Sequence, residues 1–142
     1  MTLEILLVDD DPIVQYLHKG ILSRCNYPAP KMFSDGGSAL DHILQNRDAQ
    51  VTYLVLLDIN MPIMDGWTFL QELENHTILP EVKVAILTSS VDGLDKEKAK
   101  QSNKVFQYLE KPLREDTLNR VKNDPQFIHF FDADPMGGPS ES

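Results

Sequence analysis

The sequence predicts an α/β fold, a three-layer sandwich in which helices cover both faces of a five-stranded parallel sheet. Short runs of branched aliphatic residues alternate with segments of helical period from Leu3 to about Lys122, which is the pattern of repeated strand–helix–strand units. The apolar run over residues 54–57 stops at Asp58 and precedes a loop that contains proline and glycine. Such a run is typical of a buried parallel strand that ends at a functional surface. A chain of 142 residues has room for one domain with a real core and for no second module.

The first strand, residues 5–8, ends at the acidic triplet over residues 9–11, and a helix follows. Asp11 is placed to cap this helix and Pro12 occupies its first position, where the missing N–H has no helical partner to lose. We expect the helix to end near Arg24 and to face the core through a stripe of apolar residues. That stripe consists of Ile13, Val14, Leu17, Ile21 and Leu22.

The later elements repeat the alternation. A short strand over 31–33 and a turn over 34–37 lead into a second helix, whose inward side is formed by Ala39, Leu40, Ile43 and Leu44. The other predicted elements are a strand over 51–57, a helix over 66–73 with Phe69, Leu70 and Leu73 inward, a strand over 82–87, a helix over 92–101, a strand over 105–109 and a helix over 113–121. The helix over 92–101 has few apolar residues, so it should pack loosely. The total is five strands and five helices.

The end of the chain forms a separate predicted region. We expect the domain to cover residues 1–124 and a C-terminal extension to cover residues 125–142. The extension begins with the aromatic segment Phe127–Phe131 and finishes with a Pro/Gly/Ser-rich stretch that is expected to be disordered. The aromatic segment either folds over its own domain or serves as a recognition peptide, and the first reading is favoured because exposed phenylalanines promote aggregation.

Composition excludes several classes of protein. The net charge of −9 and the pI of 4.7 disfavour nucleic acid and anionic lipid as partners. One cysteine, Cys25, allows no internal disulfide and suits a reducing compartment. No apolar run is long enough to cross a bilayer and the N-terminus has no basic region. We therefore predict a cytoplasmic protein without a membrane or nucleic-acid partner.

An acidic cluster is expected where the strands end. Asp9 and Asp10 follow the first strand and Asp58 ends the third, and functional groups of an open α/β sheet gather at this edge. Three carboxylates in a small volume repel one another unless a cation lies between them. Oxygen ligands without a nearby histidine or cysteine favour Mg²⁺.

The same edge offers groups for phosphoryl chemistry. Asp58 is the predicted nucleophile for phosphorus, giving an aspartyl-phosphate. The hydroxyl of Thr88 and the ammonium of Lys111 could hold the remaining phosphoryl oxygens. Each of these residues alone has an ordinary structural explanation, such as helix capping or a loop opening, so only the set is specific.

The chain resembles the receiver domains of two-component response regulators, of the stand-alone, chemotaxis-type kind. The resemblance covers residues 3 to about 122 and rests on four ordered motifs at residues 6–12, 57–67, 87–89 and 108–112. It implies a flavodoxin-like sheet of order 2-1-3-4-5 and a cis Lys111–Pro112 peptide bond. It further implies that Asp58 is phosphorylated by a sensor histidine kinase or phosphotransfer protein, and that Mg²⁺ is held by Asp9, Asp10, Asp58 and the backbone carbonyl of Asn60. A switch that couples Thr88 to Tyr108 is implied as well.

Three functions remain open at this point. The first is a single-domain response regulator that is not itself an enzyme and that signals by phosphorylation-dependent binding or by onward phosphotransfer, as a monomer or weak dimer. The second is a Mg²⁺-dependent phosphatase that uses Asp58 as its nucleophile. Such enzymes generally need a second acid two residues later, and Asn60 at that position argues against this function. The third is a receiver-like scaffold that takes no phosphate. The four histidines, His18, His42, His76 and His129, show no metal-ligand spacing and are interpreted as surface or core residues.

Overall fold

The computed structural model describes residues 2–59, 65–78, 80–88 and 97–131, and within them five strands form one parallel sheet. The strands are β1 (Thr2–Val8), β2 (Lys31–Phe33), β3 (Val51–Asp58), β4 (Glu81–Thr88) and β5 (Val105–Glu110). Their order is β2-β1-β3-β4-β5. The predicted flavodoxin-like α/β class and the predicted strand order are therefore confirmed.

The register aligns the carboxyl ends of the strands. Val8 of β1 pairs with Leu57 of β3, and Asp58 pairs with Leu87 of β4. One position further along β4, Thr88 pairs with Glu110 of β5. The residues that end or follow these four strands therefore lie along one edge of the sheet.

Helices occupy both faces of the sheet. They are α1 (Pro12–Arg24), α2 (Gly36–Gln45), α3 (Gly66–Glu74), α4 (Glu115–Lys122) and the short α5 (Ile128–Phe131). Of the predicted helix over 92–101, residues 97–99 are helical and residues 92–96 lie outside the described part of the chain. The fold prediction did not include α5, which falls in the segment that was assigned to the extension.

Aspartates are the N-cap residues of three helices. Asp11 accepts hydrogen bonds from the backbone N–H groups of Ile13 and Val14 at the start of α1, as predicted. Asp35 caps α2 and Asp65 caps α3 through their side chains. Each side chain satisfies backbone donors that have no partner inside the helix.

The apolar residues form two clusters, one on each face of the sheet. α2 and α3 contribute Ala39, Ile43, Phe69 and Leu73 to one cluster. α1 and α4 contribute Leu22, Leu118 and Val121 to the other. The strands β1 and β3 are buried on both faces, which explains their uninterrupted aliphatic sequences.

The predicted inward stripe of α1 is only partly correct, because Leu22 is buried and Ile21 packs against the core while Ile13 and Leu17 face solvent. Ile13, Tyr16 and Leu17 are 71%, 77% and 53% exposed, whereas His18 and Leu22 are fully buried. The helix is rotated so that positions 18 and 22, one turn apart, face the sheet. Because the inward position at 18 holds a histidine, the apolar pattern alone did not show which side of the helix faces the sheet.

The aromatic segment at the C-terminal end packs on the domain. Phe127 is fully buried, and its ring centroid lies 5.0 Å from that of Phe106 on β5. The ring of Phe131 meets that of Tyr27 edge-on at 4.8 Å. These contacts favour the interpretation that the segment covers its own domain, while the boundary at residue 124 stays a prediction. Residues 132–142, which include most of the Pro/Gly/Ser-rich end, lie outside the described residues.

No described helix combines the length and the apolar character that a membrane span requires.

Candidate functional site

Four elements deliver polar side chains to the edge where the strands end. Asp9 follows β1, Asp58 is the last residue of β3, Thr88 is the last residue of β4, and Lys111 follows β5. Asp9, Asp58 and Thr88 are 1%, 4% and 1% exposed. The fold thus places two carboxylates and a hydroxyl in a buried setting, where they need charged or hydrogen-bonding partners.

Asp9, Asp10 and Asp58 form the acidic cluster that the sequence predicts. One carboxylate oxygen from each of them lies within 4.8 Å of the others. Asp10 is exposed while the other two are buried. The cluster therefore opens to solvent on the side of Asp10, which gives a cation or an anion a way in.

Lys111 connects the two buried carboxylates. Its Nζ lies 2.8 Å from Oδ2 of Asp9 and 3.4 Å from Oδ2 of Asp58. Burial by itself lowers the pKa of Lys111, but the hydrogen bonds and negative charges of Asp9 and Asp58 outweigh it, so the pKa lies above its ordinary value. The side chain is consequently a permanent ammonium between the two acids.

Backbone hydrogen bonds fix the positions of these side chains. The N–H of Asp11 donates to Oδ1 of Asp9 at 2.9 Å. The side-chain amide of Gln15 donates to the carbonyl oxygens of Asp9 and Phe33, both at 2.8 Å. The N–H of Lys111 donates to the carbonyl oxygen of Thr88 at 2.7 Å. The site is therefore tied to α1, β2 and β4 as well as to its own strands.

Two local features of the backbone support the site. The Lys111–Pro112 peptide bond is cis, as the resemblance implied. Gly66 begins α3 where the chain returns to β3, and its N–H donates to the carbonyl oxygen of Ile59 at 3.0 Å. A Cβ at Gly66 would lie 2.9 Å from the Cα of Ile59, closer than real contacts allow. Glycine at this position lets the start of α3 approach the backbone at the end of β3.

The predicted switch pair lies on neighbouring strands. Thr88 is buried at the end of β4, and Tyr108 is half-buried on β5, paired in register with Ile86. Both residues have interaction partners. Asn60, the predicted carbonyl ligand, lies outside the described residues. The coupling of Thr88 to Tyr108 stays a prediction.

Sequence reasoning missed His18. It is fully buried on α1, and its Nε2 accepts a hydrogen bond from the N–H of Leu113 at 3.3 Å. Burial lowers the pKa of His18, and the charge of Lys111 lowers it further, while that of Asp9 acts in the opposite direction. The only hint in the sequence was a histidine inside an apolar helix pattern, which by itself indicates a core residue.

The acidic cluster fits a magnesium ion. The three carboxylate oxygens lie within 4.8 Å of one another, close to the separation of about 4 Å between opposite ligands of an octahedral Mg²⁺ with bonds of about 2.1 Å. The donors are all oxygen, as Mg²⁺ prefers. Two of the three carboxylates also contact Lys111, so their charge is only partly compensated within the protein.

Known proteins resemble the chain over nearly its whole described length. The sequence model of the family described as "Response regulator receiver domain" matches residues 5–122. The protein named "Probable methanogenesis regulatory protein FilR2" of Methanothrix harundinacea (strain 6Ac) is 31% identical over an alignment of 120 residues that covers 82% of this chain and 77% of that protein. Against the two-component response regulator ORR23 of rice, the chain spans only 16% of the relative's length.

Solved structures give the same result. A two-component response regulator from Cytophaga hutchinsonii superposes with a TM-score of 0.73 at 28% identity, over 86% of this chain and 95% of that one. The receiver domain of the sensor histidine kinase PA1611 from Pseudomonas aeruginosa PAO1 superposes with a TM-score of 0.66 at 26% identity, over 85% of this chain and 94% of that one. In that receiver domain a magnesium ion is coordinated in the active-site cleft.

Proposed function

Because the chain belongs to the family of response regulator receiver domains, we propose that Asp58 accepts a phosphoryl group from a phosphohistidine and that this modification controls protein binding or onward phosphotransfer. Receiver domains act in two-component signalling as phosphoacceptors and are not generally classed as enzymes. The observation that carries the proposal is the pair of contacts from Lys111 to Asp9 and Asp58 inside the acidic cluster. These contacts favour a phosphoacceptor over a scaffold that takes no phosphate, because they hold a cation beside the carboxylate that would carry the phosphoryl group.

The transfer itself is a substitution at phosphorus. A carboxylate oxygen of Asp58 attacks the phosphorus atom, the phosphorus–nitrogen bond of the phosphohistidine breaks, and the donor imidazole leaves as a neutral base after taking up a proton. Hydrolysis of the resulting mixed anhydride returns the carboxylate and releases inorganic phosphate. Asp58 is suited to this role because it ends a buried strand, so its backbone is held while its side chain faces the cluster.

Lys111 and Thr88 serve the phosphoryl group after it arrives. The ammonium of Lys111 already contacts Asp58 at 3.4 Å, so it can move to an oxygen of the new group without leaving the site. Thr88 ends the neighbouring strand β4, and its hydroxyl can donate a hydrogen bond to another phosphoryl oxygen. Movement of Thr88 toward the phosphoryl group is proposed to favour one of two rotamers of Tyr108 on β5.

Asp9, Asp10 and Asp58 would hold Mg²⁺, together with the carbonyl of Asn60. When bound, the ion neutralises charge that develops on the phosphoryl oxygens. The acidic cluster and the Mg²⁺ reported in the Pseudomonas receiver domain support this assignment.

The exposed side of α1 is the proposed docking surface for the phosphodonor protein. Ile13, Tyr16 and Leu17 are all more than half exposed, and α1 begins directly after the acidic cluster. A donor that brings a phosphohistidine to Asp58 must lie over this end of α1. Apolar side chains of this size favour a protein partner with an apolar helical surface. The identity of this partner stays a prediction, and so does the cytoplasmic location.

Phosphorylation of Asp58 is tested with a small acyl phosphate donor and Mg²⁺. Intact-mass spectrometry of the wild type should show one added phosphoryl group, and Asp58→Asn should show none. Asp41→Asn makes the same chemical change at an exposed position of α2 and should be phosphorylated like the wild type. Modification of Asp58→Asn to the wild-type extent would refute the assignment of the acceptor, and turnover of a phosphomonoester would favour a phosphatase.

Docking on α1 is tested by comparing two kinds of donor. Tyr16→Ser should slow phosphorylation by a phosphohistidine protein that phosphorylates the wild type, and should leave phosphorylation by the small donor unchanged. Ile128→Ser removes another exposed apolar side chain, 42% exposed against 77% for Tyr16, at the other end of the chain and should affect neither. Equal slowing with both donors would mean that Tyr16 acts on the site rather than on docking.

A further inference from the structure

His18 on α1 contacts the segment that carries Lys111. The proposed mechanism gives this histidine no role. Its side chain is fully buried. Its Nε2 accepts a hydrogen bond from the N–H of Leu113, two residues after Lys111, at 3.3 Å. Asp9 and Lys111 both act on it electrostatically. The ring thus sits between α1 and the loop after β5.

The geometry points to His18 as a positioning residue for Lys111, an inference that rests on the proposed phosphoryl transfer. The loop after β5 leaves the strand at Lys111, whose own N–H is taken by the carbonyl oxygen of Thr88 at 2.7 Å. Pro112 has no N–H. The N–H of Leu113 is therefore the first backbone donor after Lys111 that is free to anchor the loop, and it goes to His18.

Anchoring on both sides limits where the ammonium can lie. Before Lys111, strand β5 is held in the sheet by its pairing with β4. After it, Leu113 is 2% exposed in the core and its N–H is held by α1. With both ends held, the backbone of Lys111 is fixed in a position from which Nζ lies 2.8 Å from Asp9 and 3.4 Å from Asp58. Catalytic side chains need this kind of fixed support to hold a productive geometry.

The chemistry of the ring supports a specific acceptor role. An Nε2 that accepts a hydrogen bond carries no proton, so the proton of the neutral ring is on Nδ1. Nδ1 is buried and has no hydrogen-bond partner among the described residues. An apolar side chain would fill the same space without that unpaired donor. What the histidine provides over an apolar residue is the acceptor for Leu113.

Three substitutions separate this role from packing. His18→Phe keeps a ring and removes the acceptor. His18→Gln carries an amide oxygen about as far along the side chain as Nε2, so it can accept from Leu113. His18→Asn keeps a polar amide that is too short to reach. If His18 positions Lys111, the rate of Asp58 phosphorylation by acetyl phosphate at saturating Mg²⁺ should fall about tenfold or more in the Phe and Asn variants. The Gln variant should stay within about threefold of the wild type.

A second comparison asks whether the effect runs through Lys111. Combining His18→Phe with Lys111→Met should give no further loss beyond Lys111→Met alone, because the group being positioned is already gone. Trp67 is the one tryptophan of the chain and lies in the first turn of α3, the helix that follows Asp58 in the chain. Mg²⁺ affinity, read from its emission, should not change in His18→Phe. Additive losses in the double variant, or loss of Mg²⁺ affinity together with rate, would show a general disturbance of packing and overturn the inference.

A spectroscopic measurement on the unmutated protein covers the case in which His18→Phe does not fold. The ring nitrogens of His18 in the ¹⁵N-labelled wild type should report an unprotonated Nε2 and a protonated Nδ1. A protonated Nε2 would overturn the inference whatever the variants do. If the wild type itself takes no phosphate on Asp58, the proposed function fails instead, whereas equal rates in the wild type and His18→Phe refute only the role of His18.

Discussion

Removing the charge of Lys111 should destabilise the metal-free protein far more than removing an exposed lysine. In Lys111→Met the side chain keeps its length, but the buried carboxylates of Asp9 and Asp58 lose their cation. At an effective dielectric constant of about 20, the separations of 2.8 Å and 3.4 Å correspond to attractions of about 6 and about 5 kcal/mol. The cost of desolvating the ammonium offsets much of this. Breaking a buried ion pair from one side costs about 3–5 kcal/mol, which is the loss we expect.

The assay is urea denaturation with and without Mg²⁺. In the presence of a chelator, the free energy of unfolding of Lys111→Met should lie about 3–5 kcal/mol below that of the wild type. Saturating Mg²⁺ should reduce the difference by more than half, because a divalent cation in the acidic cluster replaces the missing charge. The mutation should therefore increase the stabilisation that Mg²⁺ provides.

Lys100 offers a matched control. Its Nζ lies 3.4 Å from Glu97, and both side chains are 73% exposed. Lys100→Met should change the free energy of unfolding by no more than about 0.5 kcal/mol, with or without Mg²⁺. Equal losses for the two variants in chelator would refute the reasoning, because the contacts of Lys111 would then contribute no more than those of a surface pair.

Three further predictions concern the support of the site and the end of the chain. Gly66→Ala should lower the free energy of unfolding by about 1–3 kcal/mol and slow phosphorylation, because its Cβ would lie 2.9 Å from the backbone after β3. The control is Gly20→Ala, whose nearest contact is a flexible side chain at 3.6 Å. In urea denaturation it should be neutral or stabilising, and it should not slow phosphorylation. Burial lowers the pKa of His18 in the folded state, so just below pH 6.5 only the unfolded chain takes up this proton. The free energy of unfolding should therefore fall as the pH falls through that range. Urea titrations should show a weaker acid dependence in His18→Phe, and an unchanged dependence would contradict the lowered pKa of His18. Phe127→Ala should cost about 3–5 kcal/mol in urea denaturation, whereas Ile128→Ala, 42% exposed, should cost much less; equal costs would mean that the aromatic segment does not pack on the domain.

The sheet and the acidic cluster could be predicted from sequence because each depends on local patterns. Strands buried on both faces must be apolar along their whole length, so β3 and its end at Asp58 were evident. Polar residues that follow such strands must meet at one edge once the strands are parallel. Asp9 and Lys111 were therefore assigned to the same site although they are far apart in sequence, and the structure brings them to 2.8 Å.

The orientation of α1 could not be predicted in the same way. Its apolar residues occur on more than one side of the helix, and the inward position one turn before Leu22 holds His18. A rule that assigns apolar residues to the core then selects Ile13 and Leu17, which are exposed. Only the contact with Leu113, a residue 95 positions later, shows why a histidine is buried there. Pairings at that distance leave no periodic signal in the chain.

The charge balance of the site links its stability to its function. Three carboxylates and one ammonium leave a formal excess of two negative charges in a space less than 5 Å across. Such an excess is unfavourable within the protein and favours a divalent cation. The proposed phosphorylation of Asp58 would replace one carboxylate charge by a group of higher charge on the same side chain. Lys111 is the only cation in contact with the cluster among the described ion pairs. Any movement of its Nζ toward the new group must loosen its contact with Asp9. The loop that follows Lys111, which His18 holds from α1, is therefore a second route, beside Thr88 and Tyr108, by which a change at Asp58 should reach the rest of the fold.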